Sequence, residues 1–182
     1  MKWAKFTIYP LLLFVAANAG AKTAPALTRS ELPQFLASYE QSLGPIDAAY
    51  ADLMDKPWPI RDDSGKRVGR REIKDRRKIV ADLRKTAKEL AARPDDLVLA
   101  LTLFDQTEKL GDNLYDLSQI AYDNDLEEPA TRLTEFLVTV DHNQDLIEGY
   151  VFHLAKEKQK EVQQLHREDQ EMRQKLQGAE AR

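Results

Sequence analysis

The stretch DDLVLALTLFDQTEKLGDNLYDLSQIAY, residues 95–122, decides the fold class. Its apolar residues recur at spacings of three and four, which gathers side chains on one face of an α-helix. Asp95 or Asp96 is a suitable cap for this helix, because a carboxylate accepts hydrogen bonds from the free N–H groups of the first turn. A face this broad must be buried against neighbouring elements. The predicted face consists of Leu97, Leu101, Phe104, Leu110, Leu114, Leu117 and Ala121.

Two amphipathic helices are predicted before this stretch. The first follows Thr28 and Glu31, which have the spacing of a capping box. Its apolar stripe stays in phase across Gly44 and Pro45, which favours one kinked helix over two separate helices. The second helix covers residues 70–93 and has a narrow apolar stripe on an otherwise charged surface. The stripe of the first helix consists of Leu32, Phe35, Leu36, Tyr39, Leu43, Ile46, Tyr50 and Leu53.

A fourth helix is predicted to begin near Pro129, because the first turn of a helix tolerates the missing N–H of proline. Its apolar stripe ends near Leu154, and residues 156–182 are mostly charged. No Gly or Pro occurs between residues 156 and 175, so this segment predicts a charged helical extension that frays at its C-terminus. The sparse apolar residues of the extension are Val162, Leu165, Met172 and Leu176.

These helices predict an all-α fold, namely a four-helix up-down-up-down bundle over residues 28–155. The first helix is expected to be kinked, and the charged extension of residues 156–182 is expected to leave the bundle. Residues 22–27, which precede the bundle domain, are predicted to form a flexible linker.

Residues 1–21, MKWAKFTIYPLLLFVAANAGA, are typical of a signal peptide. Lys2 and Lys5 precede a short apolar run, and small residues follow it. The run has about half of the ~20 residues that a membrane span requires. We therefore expect an exported protein, periplasmic or extracellular, with no transmembrane anchor after cleavage.

Composition restricts the possible chemistry of this 182-residue chain. It contains no cysteine, which excludes disulfides, thiol nucleophiles, zinc fingers and iron–sulfur clusters. An exported domain of this kind is held together by its apolar core alone.

Charge is divided between two consecutive blocks. Residues 61–93 contain 13 basic and 6 acidic residues, a net charge of +7, whereas residues 95–148 contain 2 basic and 14 acidic residues, a net charge of −12. In one interpretation the two blocks face and neutralise each other. In the other, the second helix presents a basic patch to a protein or an anionic partner of the cell envelope. Nucleic acid is not expected, because the block lacks interleaved aromatic residues and the protein is predicted to be exported. The candidate partner-binding cations are Arg67, Arg70, Arg71, Arg76, Arg77 and Lys78.

Trp58, which lies between two prolines, has two interpretations. It caps one end of the core, or it is an exposed anchor for a partner, since rigid aromatic side chains are frequent hot spots of interfaces.

Catalytic, metal and cofactor motifs are not found in the sequence. His142, His153 and His166 all fall on the fourth helix, and none forms the Glu-x-x-His pair of a di-metal bundle. Met54 and His153 are the conceivable axial pair for a haem. No catalytic residue, metal ligand or cofactor is therefore assigned.

The sequence favours a non-enzymatic interaction or scaffold protein that uses its basic second helix and its charged C-terminal helix. The alternative is a bundle that binds haem, a metal or a small apolar ligand between its helices.

Export makes a measurable prediction. Intact-mass analysis of the protein secreted by a bacterial host should give a chain that begins after Ala19 or Ala21, because both sites have the small-x-small pattern. A secreted chain that retains residues 1–21 would contradict the prediction.

Overall fold

The computed structural model describes residues 27–55, 61–62, 64–66 and 68–180, with side chains up to residue 177. The predicted signal peptide, most of the predicted linker, Trp58 and Arg67 lie outside these ranges. The described chain forms four helices and contains no strand, so the predicted all-α class is confirmed. The helices are α1 (Leu32–Asp55), α2 (Arg70–Ala92), α3 (Leu97–Asp123) and α4 (Glu127–Glu180).

The starts of α1 and α3 follow from capping residues that the sequence displays. Glu31 accepts a hydrogen bond from the backbone N–H of Thr28 at 2.9 Å, just before α1. Asp96 accepts bonds from the N–H groups of Val98 and Leu99, both at 3.1 Å, and so caps α3. These bonds satisfy donors that have no partner within the helix.

A tight turn joins α3 to α4. Leu126 donates its N–H to the carbonyl of Ala121, and Asp125 donates to Tyr122, each at 3.0 Å, which is the hydrogen-bond pattern of a Schellman motif. Asp125 has a φ of 58°, the left-handed conformation that this motif requires and that Asp tolerates better than most residues. The acidic segment between the helices is therefore a helix-terminating turn.

Helices that follow each other in the chain pack against each other, as in a helical bundle. The contact between α3 and α4 is the most extensive, and a small contact between α1 and α4 closes the arrangement. Leu27, at the end of the predicted linker, is buried against the same core. The largest fully buried side chains are Tyr39, Tyr50, Tyr150, Leu32, Leu43, Ile46, Leu83, Leu90, Leu103, Leu110 and Leu114.

The predicted apolar face of α3 is wrong at Leu101, which is 46% exposed. Leu103 is fully buried instead, together with Leu110 and Leu114. Residues two apart on a helix point in nearly opposite directions, so Leu101 and Leu103 cannot both face the core. The first turns of α3 are apolar on several sides, which makes the spacing ambiguous there.

One buried hydrogen-bond chain links α1 to α3. The hydroxyl of Thr107 donates to the carbonyl of Leu103 at 2.7 Å, so its proton is already used. The hydroxyl of Tyr39, 2.7 Å away, must therefore be the donor to Thr107. Burial raises the pKa of Tyr39 well above its usual range, and the same holds for Tyr50.

We expect Thr107→Val to lower the free energy of unfolding by about 1–3 kcal/mol, because it leaves the Tyr39 hydroxyl buried without an acceptor. Tyr39→Phe should cost less, about 0.5–1.5 kcal/mol, since Thr107 keeps its bond to Leu103. Urea unfolding measures both.

Tyr50→Phe is the matched control. Tyr50 is as deeply buried as Tyr39 and lies on the same helix, but its hydroxyl has no hydrogen-bond partner among the described residues. Its removal should be nearly neutral. Equal losses for the Tyr39→Phe and Tyr50→Phe variants would show that the Tyr39–Thr107 bond contributes nothing.

Candidate interaction surfaces

Arg76 connects α2 to α3. Its guanidinium lies 3.3 Å from the carboxylate of Glu72 and 3.4 Å from that of Asp116, and it donates to the side-chain oxygen of Asn113 at 3.3 Å. Only 18% of its side chain is exposed. Arg76 is therefore committed to contacts within the molecule.

Arg77 connects α2 to α1. Its Nε donates to Asp47 at 2.6 Å, and Arg84, two turns later, contacts the other oxygen of the same carboxylate at 3.3 Å. The hydrogen bond from Arg77 is the largest influence that holds the pKa of Asp47 below its usual value, although partial burial opposes it. Two cations of the basic block thus share the single negative charge of Asp47.

The acidic partners of α2 lie mainly on α1. Arg70 is 3.8 Å from Asp55, and Lys88 is 3.5 Å from Glu40, both on α1. In one interpretation of the sequence the acidic block neutralises the basic block, but the described ion pairs between the two blocks are Arg76 with Asp116 and, across the turn between α2 and α3, Arg93 with Asp96. The first helix contains four acidic and no basic residues, and it supplies the acidic partner in four of the five described ion pairs between α2 and another helix.

A row of exposed cations remains on the outer face of α2. It contains Arg71, Lys74, Lys78 and Lys85, which lie opposite the buried Val80 on the helix. Lys78 is 2.6 Å from Asp75 on the same helix. The six predicted cations are thus divided: Arg76 and Arg77 face neighbouring helices, Arg70, Arg71 and Lys78 face solvent, and Arg67 lies outside the described residues.

The acidic α3–α4 side carries exposed apolar side chains that sequence reasoning missed. Tyr122 and Val138 line a surface groove of about 590 Å³ between the two helices, beside Glu127 and Glu135. Tyr115, one heptad before Tyr122, is also exposed. Tyr115 and Tyr122 lie outside the apolar stripe predicted for α3, and this position was the signal in the sequence that could have identified them as exposed.

The most exposed surface belongs to the end of α4. Leu154 is the last buried side chain, and every residue from 155 to 177 is exposed. At 1.5 Å per residue this part of the helix extends about 35 Å beyond the core. Val162, Leu165 and Met172 are 52–63% exposed there, as is Leu176. We call residues 155–177 the projecting segment.

The suggested axial pair of Met54 and His153 is wrong. Leu53, beside Met54, lines a groove with Leu133 near the start of α4. His153 lies twenty residues beyond Leu133 on the same helix, about 30 Å away, and its Nε2 is 3.5 Å from Glu157. The two side chains are too far apart to hold one haem.

Among the described residues, no group of three or more His, Asp or Glu side chains has a geometry suited to a metal ion. None of the described helices is both long enough and apolar enough to span a bilayer.

Known proteins give no guide. Comparisons with protein-family models, with curated proteins and with solved structures find no significant match. Function is therefore inferred from the surfaces described above.

Replacing Asp47 tests the electrostatic link between α1 and α2. We expect Asp47→Asn to lower the free energy of unfolding by about 1–2 kcal/mol at pH 7, because Arg77 and Arg84 lose their shared carboxylate. Asp52→Asn is the control: Asp52 is exposed and 3.7 Å from Arg132, and an exposed pair contributes little.

The effect should depend on pH. The pKa of Asp47 is lower in the folded state than its usual value of 3.8, so its stabilisation is complete above that value and is lost as the pH falls through the folded pKa. The difference between wild type and Asp47→Asn should shrink when unfolding is measured at pH 3. A constant difference would contradict this assignment.

Proposed function

We propose that this protein is an exported, non-enzymatic interaction protein whose projecting segment binds a partner. The observation that carries the proposal is the exposure of twenty-three consecutive residues, 155–177, on a helix that continues from the core. The bundle holds one end of this helix, so its first turns need no separate nucleation.

The composition of the projecting segment favours a protein partner. Its apolar side chains Val162, Leu165, Met172 and Leu176 recur at near-heptad spacing, and charged residues separate them. Each of the four exposes more than half of its surface. Burying apolar surface of this kind is favourable by about 25 cal/mol per Å², which is the gain available when another helix packs against it.

The exposed row on α2 is proposed as a second contact. Arg71 and Lys78 of this row extend into solvent, and Arg70 beside it is exposed although it lies 3.8 Å from Asp55. This part of the surface suits a protein or an anionic component of the cell envelope. Arg76 and Arg77 are excluded from direct binding by their contacts to Asp116 and Asp47.

The bundle is proposed to have up-down-up-down topology. The pairs Glu40–Lys88, Asp47–Arg77 and Asp55–Arg70 support it, because residue numbers rise on α1 while they fall on α2. A bend of α1 at Pro45, inside the helix, and the cleavage of residues 1–21 belong to the same proposal.

Truncation after Ala155 tests the role of the projecting segment. We expect the truncated protein to keep the melting temperature of the full chain within a few degrees, since every described side chain that is removed is exposed. A photo-crosslinking amino acid at Leu165 or Met172 should form protein adducts in the native host. The control carries the same photo-crosslinking amino acid at Ala91, an exposed residue of α2.

Two results would count against the proposal. A large loss of thermal stability on truncation would make the segment part of the fold. Equal adduct yields at Leu165, Met172 and Ala91 would show that the segment has no preferred partner.

A further inference from the structure

The projecting segment has the positional pattern of a two-stranded coiled coil. In a heptad labelled a to g, Ala155, Val162, Asp169 and Leu176 occupy position a, and Lys158, Leu165 and Met172 occupy position d. All of these side chains are exposed. They share one face with Val140, Ile147 and Leu154, which are buried inside the bundle, so the core-facing stripe of α4 continues past the end of the core.

Two charged residues, Lys158 and Asp169, interrupt the apolar positions, and they determine which partner fits. In a parallel, in-register pair of identical helices, each residue at a or d faces its own copy. Lys158 would then face Lys158, and Asp169 would face Asp169. Like charges in this position repel each other, and apolar neighbours strengthen the repulsion by excluding water.

An antiparallel pair removes both conflicts at once. Position a of one helix then faces position d of the other, and one alignment places Lys158 opposite Asp169 of the second copy. The same alignment places Val162 opposite Leu165 and Ala155 opposite Met172. The two-fold axis passes between Gln163 and Gln164. Every layer between residues 155 and 172 of the pair is thus either apolar or made of opposite charges, and Leu176 lies beyond the last of these layers.

We propose that the projecting segment forms an antiparallel coiled coil with a second copy of this chain. The proposal rests on the interaction role assigned to the segment above and names its partner. The nearly balanced charge of the segment, six basic and five acidic residues over 156–177, suits self-association better than binding to a strongly charged partner. The resulting dimer is a rod with one bundle at each end.

The flanking charges oppose this orientation weakly. Glu161 faces Glu168 of the second copy in the antiparallel pair, whereas a parallel pair would bring Glu168 to Arg173. These flanking residues are exposed, and Glu168 has a partner on its own helix, Gln164 at 2.8 Å. Lys158 and Asp169 also have exposed partners on their own helix, Glu161 and Arg173, each at 2.9 Å, and these contacts give way to the pairing between copies. Exposed ion pairs contribute little to the free energy of association, so the layers at positions a and d determine the orientation of the two helices.

Charge reversal tests the pairing of Lys158 with Asp169. Lys158→Glu or Asp169→Lys alone should weaken the dimer roughly tenfold or more, as measured by sedimentation equilibrium, because both polar layers then hold like charges. The double variant should restore the wild-type dissociation constant. In a parallel dimer, neither single variant would change the pairing of like charges.

Lys160→Glu and Glu171→Lys are matched controls, because they make the same charge changes at the outward positions f and c of the same segment. They should leave the dissociation constant unchanged. If they weaken the dimer as much as Lys158→Glu does, the effect comes from overall charge and the assigned layers are wrong.

Cysteine cross-linking determines the orientation, and the absence of native cysteine makes it unambiguous. Ala155→Cys and Met172→Cys proteins should form a disulfide when they are mixed and oxidised. Neither should do so alone, because residues 155 of the two copies are about 25 Å apart in the antiparallel pair. The parallel pair predicts the reverse.

Each outcome decides the proposal. Homodisulfides from the separate proteins, or a monomer throughout the micromolar range, would overturn it. A monomer that still gives adducts with another protein at Leu165 would overturn the dimer and leave the interaction role standing. A monomer without adducts at Leu165 and Met172 would overturn both the proposed dimer and the proposed interaction role of the segment.

Discussion

The contact between α3 and α4 is the interaction on which the rest of the structure depends. It is the most extensive helix contact, and it anchors the first half of a helix that is 54 residues long. An isolated helix in water is marginally stable because its nucleation is costly. Side chains such as Val140, Ile147 and Leu154 hold the first part of α4 in place, so the exposed part is extended from a helix that already exists.

Helical periodicity predicted the class of the fold and the helix ends, because capping residues such as Asp96 act locally. It failed at Leu101, where the flanking residues are also apolar and the buried face is decided by packing against α4 and α2. It also failed for Met54 and His153, since residues on two helices can be paired from sequence only when the relative position of the helices is known. That position depends on contacts throughout the core.

The candidate site was predictable to a different degree on each helix. The exposed apolar residues of the projecting segment were visible in the sequence, because a sparse stripe cannot form a full core. The division of the basic block was not visible. Arg76 and Arg77 are adjacent in the chain, yet one bridges to Asp116 on α3 and the other to Asp47 on α1. Which of several arginines is neutralised depends on acidic residues distant in sequence.

Because α4 is long, a small tilt at the base of the projecting segment causes a large displacement of its tip. Between Tyr150 and Gln177 the helix contains neither Gly nor Pro, so it has no built-in hinge outside the core. Because the projecting segment is about 35 Å long, a tilt of about 10° at its base moves its tip by about 6 Å. Small adjustments of packing around Leu154 are thereby converted into displacements as large as a turn of helix. The core consequently sets the direction in which the tip points.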